Sequence, residues 1–260
     1  MKELTADIVI VGAGPAGSTA AWKLREKGLT VIVLDKKQEL GTPKRCAEGL
    51  SFNGMKKVGL EPEPVWAVNK ITSSIVFTPS MKEIHIRPAN KMGYVLERKV
   101  FEKHLAATAI EKGAKFYIKT HVTDVKRDGD QVTGVIADHM GEILDISAKI
   151  VVAADGVDSL TAKRAGIDTL NHLGDYHSGF QYEMANVNCP KESLHVFFGN
   201  DKAPGGYIWI FPKGERLANV GIGIDHMKAE KGKLAKDYLD MFIDDNPQFF
   251  ENACAVEINS

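Results

Sequence analysis

Between Asp7 and Asp35 the chain spells out a strand, a glycine-rich turn, a helix and a second strand closed by an acid. It runs Asp7-Ile8-Val9-Ile10-Val11, then Gly12-Ala13-Gly14-Pro15-Ala16-Gly17, a helical stretch to Lys27 and Gly28, and finally Val31-Ile32-Val33-Leu34-Asp35. Each part has a physical task in holding a dinucleotide. Gly12 makes the tight turn out of a buried strand, Gly14 lets backbone approach a pyrophosphate, and Gly17 lets the helix pack closely on the sheet. Pro15 fits the first helical turn, where its missing N–H costs nothing. With Ala16 it opens a helix whose N-terminus offers free N–H groups and a partial positive charge to phosphates. Asp35 is placed to accept hydrogen bonds from a ribose diol.

At 260 residues the chain is long enough for one large domain or two modest ones. A formal charge of −1 gives no reason to expect nucleic acid. Cys46, Cys189 and Cys254 are odd in number and widely spaced, so neither a disulfide framework nor a zinc site is expected. The first strand begins almost at once, leaving no room for a secretory signal, and no apolar run approaches a membrane span. The expectation is a cytoplasmic chain of a reducing compartment, with room for peripheral contact at a membrane.

Beyond the opening unit, Lys36 to Gly59 reads as a long functional loop with a short helix. Asn69–Phe77 and Glu83–Arg87 alternate apolar and polar residues around Thr78-Pro79-Ser80, as antiparallel strands do. Glu97 to Lys112 has the period of a helix with Phe101, Leu105 and Ala109 on one face. Residues 121–126, 131–138 and 142–146 form a meander, and Lys149–Ala154 reads as a short buried strand. Past Gly166 come longer antiparallel strands, with Lys213-Gly214-Glu215 as a turn, and then a helix from about Lys228 to Asp244. The organisation expected is two interleaved domains. Residues 1–65 with 95–168 make a doubly wound domain, and 66–94 with 169–260 an antiparallel one.

A second site follows the buried strand: Ala153-Ala154-Asp155-Gly156-Val157-Asp158-Ser159. A carboxylate and glycine there bind ribose or pyrophosphate, and Ser159 is placed to cap the next helix. With Gly12–Gly17, this favours a flavin over a nicotinamide. Here the chain resembles the FAD-dependent oxidoreductases of the hydroxybenzoate hydroxylase-type fold. The resemblance implies an α/β fold, a Rossmann-like FAD-binding domain with an antiparallel β-sheet substrate domain. It also implies that Arg98, at the start of the intervening helix, contacts the flavin, and it adds Lys36 and Val122 to the cofactor candidates.

Two further segments are more specific. Lys44-Arg45-Cys46-Ala47-Glu48-Gly49-Leu50 and Pro204-Gly205-Gly206-Tyr207-Ile208-Trp209-Ile210-Phe211-Pro212 are similar to signatures of the geranylgeranyl reductase family, especially its archaeal branch acting on isoprenoid ether phospholipids. In a strand, Tyr207, Trp209 and Phe211 share one face and Ile208 and Ile210 the other. Three aromatics in register suit a long branched apolar chain, and a core strand is the plainer account of the same pattern. Gly205 and Gly206 would let backbone approach such a ligand. Cys46 lies among cationic neighbours that favour a thiolate. The resemblance places its loop beside the flavin ring, which makes Cys46, Ala47 and Gly49 cofactor candidates and Cys46 the catalytic one. Lys36, Lys37, Lys44 and Arg45 form a basic cluster suited to phosphate, with a solvated loop as the blander reading for Lys36 and Lys37.

What the resemblance implies is FAD-dependent saturation of geranylgeranyl chains on an archaeal-type ether phospholipid. The electrons would come from reduced nicotinamide, ferredoxin or a similar donor. Other readings stay open: a hydroxylase or quinone-linked dehydrogenase of the same fold, or an isoprenoid-lipid binding fragment without activity. The sequence departs from the hydroxylase-type pattern in one respect, since a third cofactor segment of Gly-Asp-Ala form does not occur before Ser260. The expectation is an N-terminal part of a longer enzyme that alone holds FAD weakly.

Overall fold

The computed structural model describes residues 1–88, 92–169 and 171–259. In chain order the strands and helices are β1 (Lys2–Val11), α1 (Pro15–Arg25), β2 (Val31–Leu34), β3 (Gly49–Ser51), α2 (Phe52–Val58), β4 (Asn69–Ile71), β5 (Ser73–Phe77), β6 (Glu83–Ile86) and β7 (Gly93–Val95). There follow α3 (Arg98–Glu111), β8 (Lys115–Tyr117), β9 (Thr120–Asp128), β10 (Gln131–His139), β11 (Glu142–Ala153) and α4 (Leu160–Arg164). The remainder is β12 (His177–Ala185), β13 (Ser193–Phe197), β14 (Tyr207–Pro212), β15 (Leu217–Asp225), α5 (Ala235–Asp244), α6 (Pro247–Phe250) and β16 (Cys254–Asn259). They divide into two units, 1–42 with 99–170 and 43–98 with 171–260. Residues 43–65 and 95–98, Arg98 among them, therefore belong to the second unit, although the sequence pattern groups them with the first. β3 pairs with β7, and β7 with β4, in a small antiparallel sheet of that second unit. Residues 89–91, 170 and 260 fall within the assigned domain ranges but outside the described residues.

The first unit carries a six-stranded sheet in the order β8-β2-β1-β11-β10-β9. β1 is parallel to β2 and β11, and β2 to β8; α1 carries the chain over from β1 to β2, and α3 leads into β8. Gly14 is the N-cap of α1, with Pro15 in the first turn. Val9, Val11, Ile32, Leu34, Val122, Val135, Leu144 and Ile146 share one core. β11 is a single twelve-residue strand where the sequence suggests two. Its pairing with β10 ends at Ser147, while β1 follows it to Ala153. The last part of β11 thus has a strand neighbour on one side only. This explains why Ile150 is exposed rather than buried as its apolar run suggests.

The second unit carries a seven-stranded sheet in the order β16-β12-β15-β14-β13-β5-β6, antiparallel except at β13–β5. The alternation of β14 and β15 sorts their side chains between two faces. Ile208, Ile210, Val220 and Ile222 join Tyr238, Leu239 and Phe242 of α5 and Phe250 of α6 in one core. Trp209, Asn219 and Gly221 point the other way. α5 is shorter than the expected helix because Gly232 takes a positive φ of 89° and breaks the run before Ala235. Asn246-Pro247 ends it, as the sequence suggests.

Candidate functional site

In the first unit the glycine turn meets the end of β11. A Cβ on Gly12 would lie 2.2 Å from the Ala154 carbonyl oxygen, and one on Gly17 would lie 1.8 Å from that of Gly12. Both glycines are therefore required by packing within the turn. A Cβ on Gly14 would meet nothing within 4 Å, so this residue borders open space. That space is a cleft of ≈ 180 Å³ lined in part by Gly12, Gly14, Asp35, Lys36, Asp155 and Gly156. Val122, Lys37 and Arg164 also reach it. Pro15, Ala16 and Gly17 form the helical turn just beyond.

Two carboxylates shape this cleft. Asp35 is buried, with Oδ2 accepting from Ala13 N at 2.7 Å and Oδ1 from Lys37 N at 2.8 Å. It braces the turn as well as bordering the cleft, and each oxygen keeps a lone pair for a further donor. Asp155 Oδ2 accepts from Thr161 N at 2.8 Å, while its Oδ1 is buried with no partner among the described residues. Asp155, not Ser159, therefore caps α4: Ser159 makes no side-chain cap bond and has a positive φ of 40°. An open glycine turn at a helix N-terminus, a spare buried acceptor and flanking Lys36, Lys37 and Arg164 fit a dinucleotide. Arg164, whose Nη1 donates to Val122 O at 3.0 Å, went unnoticed in the sequence because a lone arginine at a helix end carries no motif.

In the second unit Tyr207, Trp209 and Phe211 do stand in a row, with neighbouring ring centroids 5.9 and 6.4 Å apart. Trp209 lines a cavity of ≈ 310 Å³ with Cys46, Ala47, Phe180, Gln181 and Asn259. Phe211 and Gly49 line another, of ≈ 270 Å³. A Cβ on Gly49 would come 3.2 Å from the Phe211 ring, so this glycine makes room for the aromatic. Gly206 serves its own sheet rather than a ligand: a Cβ there would lie 1.9 Å from Gly223 O. Tyr207, Gly206 and Arg98 line none of the three spaces described. Gln181 and Asn259 face each other across β12–β16 and are buried, and each carries an amide nitrogen with no partner among the described residues. The Cys46 cavity is thus lined by the Phe180 and Trp209 rings together with the side-chain amides of Gln181 and Asn259.

Lys44, also in the wall of this cavity, belongs to a charged cluster that the sequence did not reveal. Lys44 is buried, with Nζ 2.7 Å from Glu183, 3.3 Å from Glu48 and 3.5 Å from Glu257. Lys213, also buried, lies 2.7 Å from Glu183, 2.9 Å from Glu97 and 3.2 Å from Glu48. Burial alone would lower the lysine pKa values and raise that of Glu183. The opposite charges prevail, holding both ammonium groups above the ordinary lysine value and Glu183 below the ordinary carboxylate value. Glu48, Glu97 and Glu183 approach as metal ligands would, but Lys213 Nζ contacts all three and supplies the positive charge. Lys44 is therefore spent on carboxylates, which removes it from the expected phosphate cluster. Lys36 and Lys37, the residues given the blander reading, line the first unit's cleft. Cys46 Sγ accepts a hydrogen bond from Glu48 N at 3.2 Å.

A glycine turn, a buried acid and a second Asp-Gly turn around one cleft are the marks of a dinucleotide-dependent oxidoreductase. Residues 7–171 match the family described as FAD dependent oxidoreductase, and the chain belongs to that family. Residues 175–260 match the geranylgeranyl reductase catalytic domain, and it is geranylgeranyl reductases that the chain resembles within its class. A protein named digeranylgeranylglycerophospholipid reductase 2 from Methanosphaera stadtmanae is 43% identical over 258 residues, 97% of this chain and 64% of that protein. A digeranylgeranylglycerophospholipid reductase from Methanocaldococcus jannaschii is 42% identical over 247 residues, 94% of this chain and 61% of its own length. The chain thus spans less than two thirds of these relatives. The crystal structure of a geranylgeranyl bacteriochlorophyll reductase-like protein from Thermoplasma acidophilum superimposes with a TM-score of 0.93 at 36% identity, covering 98% of this chain and 65% of that one.

Proposed function

We propose that this chain forms the dinucleotide-binding and substrate-facing parts of an FAD-dependent reductase that saturates geranylgeranyl chains on isoprenoid ether phospholipids. The observation that carries the reading is the Cys46 cavity, where a thiol and the Trp209 indole share one wall system beside Phe180. FAD, when bound and reduced, supplies the hydride for one carbon of the alkene. Gly12, Gly14, Asp35, Lys36, Val122, Asp155 and Gly156 would hold its dinucleotide in the first unit's cleft, with Pro15, Ala16 and Gly17 presenting the helix N-terminus. Arg98, Ala47 and Gly49 remain the flavin-side candidates.

An isolated alkene is a poor hydride acceptor, so the chain must contribute position, dryness and a proton. Trp209 and Phe211, with Tyr207 beside them, give an aromatic surface for an apolar chain. Cys46 is our candidate for holding the proton at Sγ. The Glu48 N–H donates to the sulfur, which leaves the thiol's own hydrogen free for another acceptor. The electrons come in this reading from reduced nicotinamide, ferredoxin or a similar donor. Among the described residues no helix is long and apolar enough to cross a membrane. We place the chain at a membrane surface because its proposed substrate resides there.

The test is direct. The chain, extended to the length of its curated relatives, is incubated with reduced FAD and a geranylgeranylated ether phospholipid, and the lipid is weighed by mass spectrometry. The reading predicts a gain of two hydrogens for each double bond reduced, and the same gain largely lost in Cys46→Ala. An unchanged lipid mass contradicts the reductase reading. An unchanged rate in Cys46→Ala contradicts the role of the thiol.

A further inference from the structure

We propose that Glu48 is a positioning residue for the Cys46 cavity, a buried carboxylate that holds the thiol and the Trp209 indole in fixed relation from outside the cavity they line. The proposal rests on the reading of that cavity given above. Glu48 is itself absent from the cavity wall, whereas Cys46 and Trp209 are both part of it.

Every polar atom of Glu48 is engaged. Its N–H donates to Cys46 Sγ at 3.2 Å, and its carbonyl accepts from Leu96 N at 2.9 Å. Oε1 accepts from Arg98 N at 3.0 Å and from Lys213 Nζ at 3.3 Å. Oε2 accepts from Asn219 Nδ2 at 3.1 Å and lies 3.3 Å from Lys44 Nζ. Asn219 then turns its Oδ1 to Trp209 Nε1 at 2.8 Å. An unbroken path of hydrogen bonds thus runs from the thiol through Glu48 and Asn219 to the indole. The indole is fixed from a second direction, since a Cβ on Gly221 would lie 2.3 Å from it.

The donors around the side chain call for a carboxylate, and the backbone marks the position as constrained. All four side-chain partners of Glu48 are donors, so an amide would turn N–H toward N–H. The backbone at Glu48 also has a positive φ of 70°, a conformation that a side chain with a Cβ adopts only when its surroundings hold it there. The reward for that strain is the placement of the N–H against Cys46.

The experiment compares the wild-type chain with Glu48→Gln and Asn219→Leu, following iodoacetamide labelling of each cysteine by peptide mass spectrometry. Cys189 lies in the same unit and is half-buried, so a rise in its labelling reports general opening of the fold. We expect Cys46 labelling to rise about tenfold in Glu48→Gln, the loss of charge-assisted hydrogen bonds that hold the thiol's surroundings being worth that much. A smaller change in the same direction is expected in Asn219→Leu, with Cys189 at its wild-type rate in both. Cys46 and Cys189 rising together in both variants would show a purely structural role and overturn the proposal. So would unchanged Cys46 labelling in the folded variants. Labelling requires neither cofactor nor lipid. A failed lipid assay with wild-type protein would sink the reductase reading, while the labelling result would still decide what Glu48 does.

Discussion

Gly12 and Gly14 stand two residues apart and answer to different demands. Gly12 has a positive φ of 101° and no room for a Cβ, so Gly12→Ala should destabilise the fold by several kcal/mol, seen as a lowered melting temperature. Gly14 has an ordinary φ of −65° and open space around it, so Gly14→Ala should leave the melting temperature within a degree or two while weakening FAD binding. Equal loss of stability in the two variants would refute this division. The spacing of glycines was legible in the sequence because each answers to short-range sterics. Lys44 was not, because its burial depends on Glu183 and Glu257, more than a hundred residues away. Lys213 read as a turn residue for the same reason. Removing its charge in Lys213→Met leaves buried Glu48 and Glu183 short of a partner, and should cost about 3–5 kcal/mol in denaturant unfolding.

The first elements, β1, α1 and β2, follow directly from the sequence pattern because apolar run, turn and helix start agree with one another. β14 likewise shows its alternation, and the structure places Ile208 and Ile210 in the core with Trp209 opposite. α4 is a case where local reading chose the wrong group. Ser159 looked like the cap, yet Asp155 reaches Thr161 N from across the turn. Asp155→Ala should therefore destabilise by about 1 kcal/mol, and Ser159→Ala by much less, in paired thermal melts. β11 was read as two strands because its residues alternate at first and then turn uniformly apolar. The change marks where β10 ends and β1 continues alone, a fact of pairing that one strand's residues do not carry.

At the scale of the whole molecule, acid sensitivity has a specific source in the second unit's core. His195 is buried among Phe77 and Phe249, and burial pushes its pKa from 6.5 down to about 4. The folded chain resists protonation there until about pH 4, whereas the unfolded chain takes up the proton near 6.5. Between those values the unfolded state binds more protons, so stability rises with pH through the window and is lost as the pH falls. The difference is worth about 3 kcal/mol. His195→Phe should flatten this part of the stability profile in urea titrations from pH 7 to 4. The first unit's cleft is the proposed seat of the FAD dinucleotide. The measurement that tests it most directly is a visible absorption spectrum of the chain extended to its relatives' length, taken after gel filtration, beside the same protein carrying Gly14→Val. Flavin bands in the first and their loss in the second, with both proteins folded, are the predicted result. A folded, colourless protein that stays colourless after incubation with FAD would contradict the account.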